Sequence, residues 1–409
     1  MIQNFINKGY EIVSFEEFAN IYIVNTCTVT NMSDRKSRQI LRRAKEINKN
    51  AVVVAIGCYA QVAKDELEKI KEIDLVLGNS NKKDIVNKIE RFIKDNIKES
   101  ENEIEKEFLE FGEVTYSEKT RAVIKIQDGC NNFCSYCIIP YARGRVRSRN
   151  PESILQEIKQ IAKKDIKEIV ITGIHIGSYG KDFTQKYELI DLLEEIDKIE
   201  GLKRIRLGSI EPNLITKNFV ERLKKINKIC NHFHLSLQSG CNDTLKRMNR
   251  KYTTEDFEKS VELLRNNFND VVLTADVIVG FPGEDEKEFG QTKEFLEKIN
   301  FYKMHVFKYS PRKGTVAANM KKQVDGNIKE ERSKTILALS NKNEEEFFEK
   351  QIGNIVEVLF EEGNRGHTTN YLLIELKDEK VSENVLKKVN IIDFYTKKEE
   401  KIGIATLKM

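Results

Sequence analysis

An apolar run followed by a cysteine-rich loop decides the fold, and it reads Ala122-Val123-Ile124-Lys125-Ile126-Gln127-Asp128-Gly129-Cys130-Asn131-Asn132-Phe133-Cys134-Ser135-Tyr136-Cys137. The first five residues are rich in β-branched side chains and predict a buried strand. The following loop spaces Cys130, Cys134 and Cys137 as C-x3-C-x2-C. Three thiolates on one loop can hold three corners of an iron–sulfur cube, and the fourth iron then stays open to a small molecule. A zinc site with a distant fourth ligand is the alternative interpretation of this spacing.

Composition and charge restrict the class of protein. The chain has 409 residues, of which 40% are hydrophobic and 33% charged, so it can form two or three globular domains. Its seven cysteines are clustered, and no segment resembles a signal peptide or a membrane span. This predicts a cytoplasmic protein whose reduced thiols serve as ligands and not as disulfides. The net charge of +4 permits a nucleic-acid partner without requiring one.

The N-terminal part, residues 1–93, alternates short apolar runs with polar helical stretches. Its strand-like runs are Ile21-Tyr22-Ile23-Val24, Ala51-Val52-Val53-Val54-Ala55-Ile56 and Leu75-Val76-Leu77, and its helical stretches are Ser33 to Ile47 and Asp65 to Ile73. Continuous apolar runs between helices predict an α/β domain with a parallel sheet covered on both faces. Cys27 and Cys58 come just after two of these strands, where open α/β sheets gather ligand-binding loops. The charge-rich residues 94–119 are predicted to be a linker or an exposed helix.

The central part, residues 120–345, alternates strands and helices strictly. Strand-like runs lie near residues 122–126, 168–172, 203–207, 233–237, 271–279 and 303–307, and helical stretches lie near 151–164, 187–199, 216–228, 254–267 and 285–299. This alternation implies right-handed crossovers and a parallel sheet. Six units are fewer than the eight of a closed barrel, so the sequence predicts an open, partial (β/α)6 barrel. Its polar and glycine-rich segments fall at the carboxyl ends of the strands, which is the end that carries active sites in such barrels.

The C-terminal part, residues 346–409, has a different pattern. A helical stretch from Lys329 to Phe348 leads into short strands at Ile355 to Phe360, Tyr371 to Leu376, Val389 to Phe394 and Ile402 to Leu407. Short strands separated by turns predict a small antiparallel β-barrel.

Over essentially its whole length the chain resembles the methylthiotransferases, a branch of the radical S-adenosylmethionine (SAM) enzymes. The resemblance lies in the segments Asn25-Thr26-Cys27-Thr28-Val29-Thr30-Asn31, Gly57-Cys58-Tyr59-Ala60-Gln61, the C-x3-C-x2-C loop continued through Ile138-Ile139-Pro140-Tyr141-Ala142-Arg143-Gly144-Arg145, Asp276-Val277-Ile278-Val279-Gly280-Phe281-Pro282-Gly283-Glu284, and Phe307-Lys308-Tyr309-Ser310-Pro311-Arg312. The segment after Cys27 resembles the branch that acts on threonylcarbamoyladenosine beside the anticodon of tRNA, as does Gly366-His367-Thr368-Thr369-Asn370-Tyr371. The terminal barrel is similar to that family's RNA-binding TRAM domain. Sister branches act on isopentenyladenosine in tRNA or on an aspartate of a ribosomal protein, and these remain alternatives.

The resemblance implies two iron–sulfur clusters. Cys130, Cys134 and Cys137 would hold a [4Fe–4S] cluster whose open iron is chelated by SAM, and Cys27 and Cys58 would hold an auxiliary [4Fe–4S] cluster that holds or supplies sulfur. A low-potential electron donor would reduce the first cluster, and the resulting 5′-deoxyadenosyl radical would take the hydrogen from C2 of the adenine. A second SAM would methylate the sulfur.

The resemblance also implies contacts with SAM from the rim of the barrel. Tyr136 precedes the third cysteine, and Gly173, Ile174 and His175 would meet the methionine amino group. The further candidates are Ser209 and Glu211 for the ribose or carboxylate side, Gln238 on the fourth strand, and Val279 and Phe281 to bracket the adenine. A glycine at a strand end is more often a turn residue than a ligand contact. The assignment of these residues to SAM binding therefore depends on their all lying at the same rim of the barrel.

Basic and aromatic side chains are candidates for contacts with the tRNA anticodon loop. They are Arg365, His367, Tyr371 and Lys377 in the terminal barrel, and ordinary exposed side chains are the alternative. Arg143 and Arg145, after the cysteine loop, could neutralise the SAM carboxylate or an RNA phosphate, and pairing with surface acids is the alternative. Cys230 and Cys241 are expected to be buried thiols outside the clusters, and His234 is expected to be a core or rim residue.

The sequence departs from the family in one respect. Family members supply a third auxiliary cysteine from a Leu-Gly-Cys loop that precedes a segment like Gly9-Tyr10-Glu11-Ile12-Val13, and this sequence has no counterpart of that cysteine. Either the start is misplaced or truncated, which we favour because the downstream motifs are intact, or the chain is a degenerate paralogue that cleaves SAM without transferring sulfur. The oligomeric state is not indicated by the sequence.

Overall fold

The structure is a computed structural model, and it describes residues 1–98, 103–110, 120–377 and 380–407. Two compact units are present. One consists of residues 1–115, 128–147 and 310–319, and the other consists of residues 116–127, 148–309 and 320–409. The cysteine loop thus belongs to the same unit as the N-terminal sheet, and the C-terminal barrel belongs to the same unit as the central strands.

The N-terminal part is a three-stranded parallel sheet between helices. Its elements are α1 Ile2–Asn7, β1 Ile21–Thr26, α2 Asn31–Ile47, β2 Val52–Gly57, α3 Cys58–Val62, α4 Lys64–Leu67, β3 Leu75–Leu77 and α5 Ile85–Asp95, and the strand order is β1-β2-β3. The central strand β2 is buried from Val53 to Ile56, and apolar clusters cover both faces of the sheet. The predicted α/β sheet is confirmed. The helix predicted over Asp65 to Ile73 is wrong in length, since α4 ends at Leu67.

The central part contains six parallel strands that alternate with helices. Its elements are β4 Arg121–Asp128, α6 Ile139–Arg143, β5 Arg147–Ser148, α7 Pro151–Lys163, β6 Glu168–Gly173, α8 Leu189–Asp197, β7 Arg204–Leu207, α9 Lys217–Leu223, β8 His232–Gln238, α10 Asn242–Arg247, α11 Thr254–Asn267, β9 Val272–Val279, α12 Glu286–Ile299, β10 Lys303–Lys308 and α13 Gly326–Gln351. The sheet orders are β5-β4-β6-β7 and β10-β9-β8. Isolated parallel bridges, Ile205 with Ile229 and Ile210 with Leu235, connect the two sheets. This is the predicted partial barrel, with one additional short strand, β5.

Side chains alternate along these strands, and this alternation separates the core from the inside of the barrel. On β8, one face carries the fully buried side chains Phe233, Leu235 and Leu237, which belong to an apolar cluster shared with side chains of the surrounding helices. His234 lies on the opposite face of the strand and is partly exposed. Successive side chains of a strand point to opposite faces. The strands therefore present an apolar face to the helices and a more polar face to the inside of the barrel.

The C-terminal part is a closed five-stranded barrel. Its strands are β11 Ile355–Glu362, β12 Arg365–Thr368, β13 Leu373–Leu376, β14 Val385–Lys397 and β15 Glu400–Leu407, in the order β11-β12-β13-β15-β14. Strand β12 was not predicted. The barrel was predicted to be antiparallel, but β13 and β15 pair in parallel, because β15 inserts between β13 and β14 and runs antiparallel to β14. The predicted linker, residues 94–119, lies partly outside the described residues.

Candidate active site

The cysteine loop follows β4 directly, and its backbone is closed by hydrogen bonds. The Cys130 N–H donates to the carbonyl of Gly144 at 3.0 Å, and the Cys137 N–H donates to the carbonyl of Cys134 at 2.9 Å. Gly129 has a φ of +72°, and a Cβ there would lie 1.8 Å from the carbonyl oxygen of Arg145. Only glycine fits this position, so the turn that precedes Cys130 requires a glycine at residue 129.

The three thiols are chemically suited to an iron–sulfur cube. Cys130, Cys134 and Cys137 are partly exposed, so they are accessible from solvent. The Asn132 N–H donates to the sulfur of Cys130 at 3.5 Å, which favours the thiolate that a metal requires. Among the residues that the structure describes, no three His, Cys, Asp or Glu side chains are arranged to hold a single metal ion. In a cubane each cysteine binds a different iron, so the ligands need not converge on one point.

An aromatic and cationic cluster supports the same loop. Phe133 adopts a left-handed φ of 48°, and the guanidinium carbon of Arg145 lies 4.6 Å from the centre of its ring. Tyr141 contacts the same ring edge-on at 5.9 Å. Arg145 therefore packs against the loop, and this contact favours a structural role for it over the predicted contact with SAM or RNA. Tyr136 is partly exposed within the loop.

Cys27 and Cys58 lie on neighbouring loops of the N-terminal sheet. In the register of β1 with β2, Thr26 is opposite Gly57, and the two cysteines are the next residue of each chain segment. The Thr26 hydroxyl donates to the carbonyl of Ile56 and accepts the Ala60 N–H, which fixes the start of α3. Cys27 is exposed and Cys58 is partly exposed. The two cysteines thus follow neighbouring strand ends, and both are accessible to solvent.

Arg312 holds the segment after Cys27. Its guanidinium donates to Asn31 Oδ1 at 2.6 Å, to Asp34 Oδ2 at 2.5 Å and to the hydroxyl of Thr28, and its side chain is almost fully buried. The Asn31 N–H also donates to the hydroxyl of Ser310 at 3.2 Å. The segment that resembles the threonylcarbamoyladenosine branch is therefore held in place by one arginine, which sequence reasoning did not single out.

At the carboxyl ends of β6 and β7, His175 and Glu211 are brought together. The imidazole Nε2 of His175 lies 3.0 Å from Glu211 Oε2, and its backbone N–H donates to Gln127 Oε1 at 2.8 Å. The guanidinium of Arg250 lies 2.9 Å from Glu211 Oε1. A carboxylate and an imidazole beside a cation can bind the amino and carboxylate groups of an amino acid. Gln127 and Arg250 belong to this arrangement, and no sequence motif marked them.

The remaining rim candidates differ in exposure. Ser209 and Ile174 are exposed, and Gly173 packs against Gln127 with space for no larger side chain without displacement. Gln238 is nearly buried at the end of β8 and has a left-handed φ of 72°. A non-glycine residue in this region is uncommon, and such strain concentrates at functional sites.

The predicted adenine contacts lie at the end of β9, where Val279 is its last residue and Phe281 follows. The side chains of Val279 and Phe281 are buried, and the Phe281 ring packs against Tyr309 at 5.3 Å. Their contact with the adenine of SAM stays a prediction. Gly280 between them has a φ of +71°, and a Cβ there would lie 2.3 Å from Lys329 Cγ.

The two thiols that we expected to be buried are buried. Cys230 and Cys241 are buried free thiols, and burial raises the pKa of Cys230 to about 11. His234 faces the inside of the barrel, where its Nε2 lies 3.1 Å from Asp276 and its Nδ1 lies 2.9 Å from the hydroxyl of Thr274.

The candidate RNA-binding residues of the C-terminal barrel are largely engaged with protein. Arg365 pairs with Glu375 at 2.5 Å, and His367 stacks on Tyr371 at 4.6 Å. Tyr371 also stacks on His232, the first residue of β8, at 5.1 Å. These contacts anchor His367 and Tyr371 to the central strands, but Tyr371 remains exposed, as does Lys377, so their contact with RNA stays a prediction.

Comparison with known families agrees with this arrangement. The radical SAM superfamily profile matches residues 124–296, and the profile described as uncharacterized protein family UPF0004 matches residues 1–78. The first match covers the cysteine loop and the barrel strands from β4 to β9, and it ends before β10. No helix among the described residues is long and apolar enough to cross a membrane.

Solved structures show the same fold at low sequence identity. The radical SAM methyltransferase TsrM from Kitasatospora setae, with cobalamin and a [4Fe–4S] cluster bound, superimposes with a TM-score of 0.52 and 16% identity, covering 71% of this chain and 65% of that chain. A second TsrM structure, with tryptophan and a SAM analogue bound, gives a TM-score of 0.53 at 15% identity, over 71% and 62% of the two chains. The chain thus matches somewhat less than two thirds of these proteins.

Curated relatives match along nearly the full chain. Threonylcarbamoyladenosine tRNA methylthiotransferase MtaB of Bacillus subtilis is 41% identical over 403 residues, which are 95% of this chain and 89% of the relative. The protein of the same name from Aquifex aeolicus is 44% identical, over 91% of each chain. A tRNA-2-methylthio-N(6)-dimethylallyladenosine synthase of a Thermoanaerobacter species is 37% identical, over 86% and 76%. The predicted family is therefore confirmed, and the chain belongs to the radical SAM methylthiotransferases, in the threonylcarbamoyladenosine branch.

Proposed function

We propose that this enzyme adds a methylthio group to C2 of N6-threonylcarbamoyladenosine in the anticodon loop of tRNA. The observation that carries the proposal is the 41% and 44% identity to two methylthiotransferases of that name, which extends over 95% and 91% of this chain. The segment Thr28 to Asn31, which resembles that branch, is held by Arg312 next to Cys27. The fold and the cysteine loop support the same chemistry.

As a radical SAM enzyme, the chain uses a [4Fe–4S] cluster and SAM as cofactors. When bound, they would supply radical chemistry, and an auxiliary cluster would supply the sulfur. Cys130, Cys134 and Cys137 would hold the first cluster, and their partial exposure and soft thiolate donors fit that role. Cys27 and Cys58 would supply two ligands of the auxiliary cluster, and this sequence has no counterpart of the third cysteine.

The chain's own residues orient the cofactor at the rim of the barrel. Glu211 accepts from a positively charged amino group, and Arg250 beside it neutralises a carboxylate. His175 is oriented by two contacts, since its backbone donates to Gln127 and its Nδ1 bonds to the hydroxyl of Ser178. A side chain fixed by such contacts presents a defined geometry to the ligand before it binds.

The tRNA is bound through its anticodon loop, because unstacked bases of a loop can be turned out into a pocket. A low-potential donor delivers the electron for each turnover, and the cytoplasm is the compartment that keeps the seven cysteines reduced. The C-terminal barrel contributes to tRNA binding through exposed basic side chains such as Lys377.

Anaerobically reconstituted enzyme tests the proposal. Transfer RNA that carries threonylcarbamoyladenosine, tRNA that carries isopentenyladenosine, and ribosomal protein are each incubated with SAM and a reductant, and products are identified by mass spectrometry. We expect a methylthio product from the first substrate alone. A product from either of the other two, with none from the first, would assign the enzyme to a sister branch.

Iron and sulfide analysis is the control on the ligand assignment. The Cys130→Ala, Cys134→Ala, Cys137→Ala triple variant is expected to hold one [4Fe–4S] cluster fewer than the parent and to lose SAM cleavage. An unchanged iron content in this variant would contradict the assignment of the C-x3-C-x2-C loop.

A further inference from the structure

The last three strands of the partial barrel present a polar face to its inside. On β10, Met304 and Val306 pack against the apolar cluster shared with the helices, so Lys303, His305 and Phe307 lie on the opposite face. The same alternation places on this inner face His234, Ser236 and Gln238 of β8 and Thr274, Asp276 and Ile278 of β9. Polar and aromatic side chains therefore line this part of the barrel interior.

The strand register arranges these side chains in levels. It places Phe307 beside Ile278, and His305 beside Asp276. Phe307 is the next-to-last residue of β10, so it lies near the rim that carries the candidate SAM contact Glu211. His305 is two residues further from the rim, roughly 7 Å along the strand. A base held at the level of Phe307 would therefore have the SAM rim on one side and His305 and Asp276 on the other.

Phe307 offers a stacking surface at the upper level. The residue is 43% exposed although it lies on the inner face of the barrel. Proteins bind bases that have left a stack by placing them on aromatic rings, and this contact tolerates any base because every base has a π-face. The ring of Phe307 can therefore hold a base turned out of the anticodon loop without selecting its substituents.

The lower level supplies an acceptor and a donor. His234 Nε2 lies 3.1 Å from Asp276 Oδ2, and its Nδ1 lies 2.9 Å from the Thr274 hydroxyl, so Asp276 is held in one orientation. The Asp276 side chain is still 27% exposed, and a carboxylate can accept several hydrogen bonds. His305 is exposed, with its ring centre 5.4 Å from that of His234, and an imidazole carries at least one N–H.

The threonylcarbamoyl substituent is complementary to this donor and acceptor. Its carboxylate accepts hydrogen bonds, and its urea N–H groups and hydroxyl donate them. An isopentenyl group can do neither, so it would exclude water from His305 and Asp276 and leave both without partners. A site built to hydrogen-bond its substrate rejects an analogue that lacks the bonding groups.

We propose that Phe307 stacks on the adenine that is modified and that His305 and Asp276 determine specificity for its threonylcarbamoyl substituent. His305 donates to the carboxylate of that substituent, and Asp276 accepts from its N–H or hydroxyl groups. His234 is a positioning residue that orients Asp276. The inference rests on the proposed function, since it assigns residues to that substrate.

Binding of anticodon stem–loop RNA tests this assignment without turnover. Three fluorescently labelled RNAs are identical except for one base, which is threonylcarbamoyladenosine, isopentenyladenosine or adenosine. Their Kd values for the full-length, anaerobically reconstituted protein with SAM present are measured by fluorescence anisotropy. We expect the parent to bind the RNA with threonylcarbamoyladenosine most tightly.

The variants of the lower level should change specificity and not overall binding. His305→Ala is expected to raise the Kd of the threonylcarbamoyladenosine RNA about tenfold, the loss of one hydrogen bond to a charged group, and to leave the Kd of the adenosine RNA unchanged. Asp276→Asn should reduce the same preference. His305→Gln keeps an N–H donor and should retain most of it. Gln160→Ala, an exposed substitution on α7, is the control.

The variants of Phe307 should change overall binding and not specificity. Phe307→Ala removes the stacking ring and should raise the Kd of all three RNAs about tenfold, whereas Phe307→Tyr keeps the ring and should bind like the parent. Phe18→Ala, which removes an exposed phenylalanine that precedes β1, is the matched control and should change none of the three Kd values.

The outcomes separate this inference from the proposed function. A parent that does not prefer the threonylcarbamoyladenosine RNA would overturn the proposed substrate, and the specificity assignment with it. A parental preference that persists in His305→Ala and Asp276→Asn would overturn the specificity assignment alone, as would equal weakening of all three RNAs by His305→Ala. Unchanged Kd values in Phe307→Ala would overturn the stacking role.

Discussion

The guanidinium of Arg206 lies over the ring of Tyr371, with its central carbon 4.6 Å from the ring centre. Arg206 is on β7 and Tyr371 precedes β13 of the C-terminal barrel, so one cation–π contact joins two parts of the same compact unit. Arg206 also donates to Glu168, which is fully buried at the start of β6. The C-terminal barrel is therefore attached at the amino ends of the central strands, opposite to the rim that carries His175.

Glu168 compensates several buried cations, and its loss should destabilise the fold. Its carboxylate lies 3.0 Å from Arg206 and 2.6 Å from Arg121, and Arg204 is 3.9 Å away. Glu168→Gln leaves these charges without their counterion, so the free energy of unfolding should fall by about 3 to 5 kcal/mol. Urea unfolding followed by circular dichroism measures this loss. The exposed substitution Glu330→Gln should leave the unfolding midpoint unchanged, and a similar shift in both variants would contradict the argument.

The carboxyl group of Glu168 should make the free energy of unfolding depend on pH. Burial alone would raise the pKa of Glu168, but the guanidinium groups of Arg206, Arg121 and Arg204 lower it below its ordinary value. The stabilisation is therefore fully present above the unfolded-state pKa of about 4.3 and is lost as the pH falls through the folded value. Stability measured below pH about 4.5 should fall more steeply in the parent than in Glu168→Gln. Parallel curves would contradict the assignment.

Tyr371 should stabilise the protein through the contacts of its ring and not through its hydroxyl. The ring stacks on His367 at 4.6 Å and on His232 at 5.1 Å in addition to its contact with Arg206. Tyr371→Ala removes all three contacts and should lower stability by about 2 to 4 kcal/mol, whereas Tyr371→Phe keeps the ring and should cost less than about 1 kcal/mol. Thermal unfolding of the three proteins measures the difference. Equal losses in the two variants would show that the hydroxyl carries the contact.

The strands and helices of the central barrel could be predicted from the sequence because each apolar run is continuous and bounded by polar helices. Strand β12 was missed because Arg365 to Thr368 contains a glycine and no apolar run, and its pairing with β11 and β13 determines it as a strand. The parallel pair β13 with β15 could not be predicted, because the order of strands around a barrel depends on contacts distant in sequence. The local sequence pattern thus indicates where strands and helices lie, whereas the order of the strands in a sheet depends on pairing between distant segments.

The candidate site was predictable where chemistry requires a residue type. The cysteines and glycines of the loop stand out because few other residues can do what they do, as the position of Gly129 shows. The role of Arg312 could not be predicted, although it ends one of the segments that resemble the family, because an arginine has many roles and its partners lie far away in the sequence. The stacking of Tyr371 on His367 and His232 could not be predicted either, because these residues lie far apart in the sequence, and the contacts of His367 and Tyr371 with RNA stay a prediction.

Thiol reactivity should divide the seven cysteines into two groups. Burial raises the pKa of Cys230 to about 11, so at pH 8 only about one molecule in a thousand carries the reactive thiolate there. Cys27 is exposed, and Cys58, Cys130, Cys134 and Cys137 are partly exposed. Iodoacetamide should therefore alkylate five cysteines of the cluster-free protein at pH 8 and spare Cys230 and Cys241. Peptide mass spectrometry reads this pattern, and early labelling of Cys230 would contradict the buried placement.

Glu211 should contribute to SAM binding through its two neighbours. Glu211→Gln removes the charge that pairs with Arg250, whose side chain is largely buried, and weakens the contact with His175. The affinity for SAM should fall about tenfold, the loss expected for one charge-assisted hydrogen bond. Equilibrium dialysis with labelled SAM on the reconstituted enzyme measures it. Glu221→Gln, on the exposed side of α9, is the control. Unchanged affinity in Glu211→Gln would place SAM elsewhere on the rim.

Arg312 should affect sulfur transfer and leave SAM cleavage intact. It binds Thr28, Asn31 and Asp34 at once, and a lysine ammonium has no planar fork with which to reach all three. Arg312→Lys should loosen the segment after Cys27 and lower the yield of methylthiolated tRNA about tenfold, while 5′-deoxyadenosine forms at the parental rate. Liquid chromatography of both products from one reaction measures the two yields. Arg35→Lys, an exposed substitution on α2, should change neither yield. A parallel fall of both products in Arg312→Lys would show that Arg312 supports the fold as a whole, and the segment after Cys27 would then have no separate dependence on it.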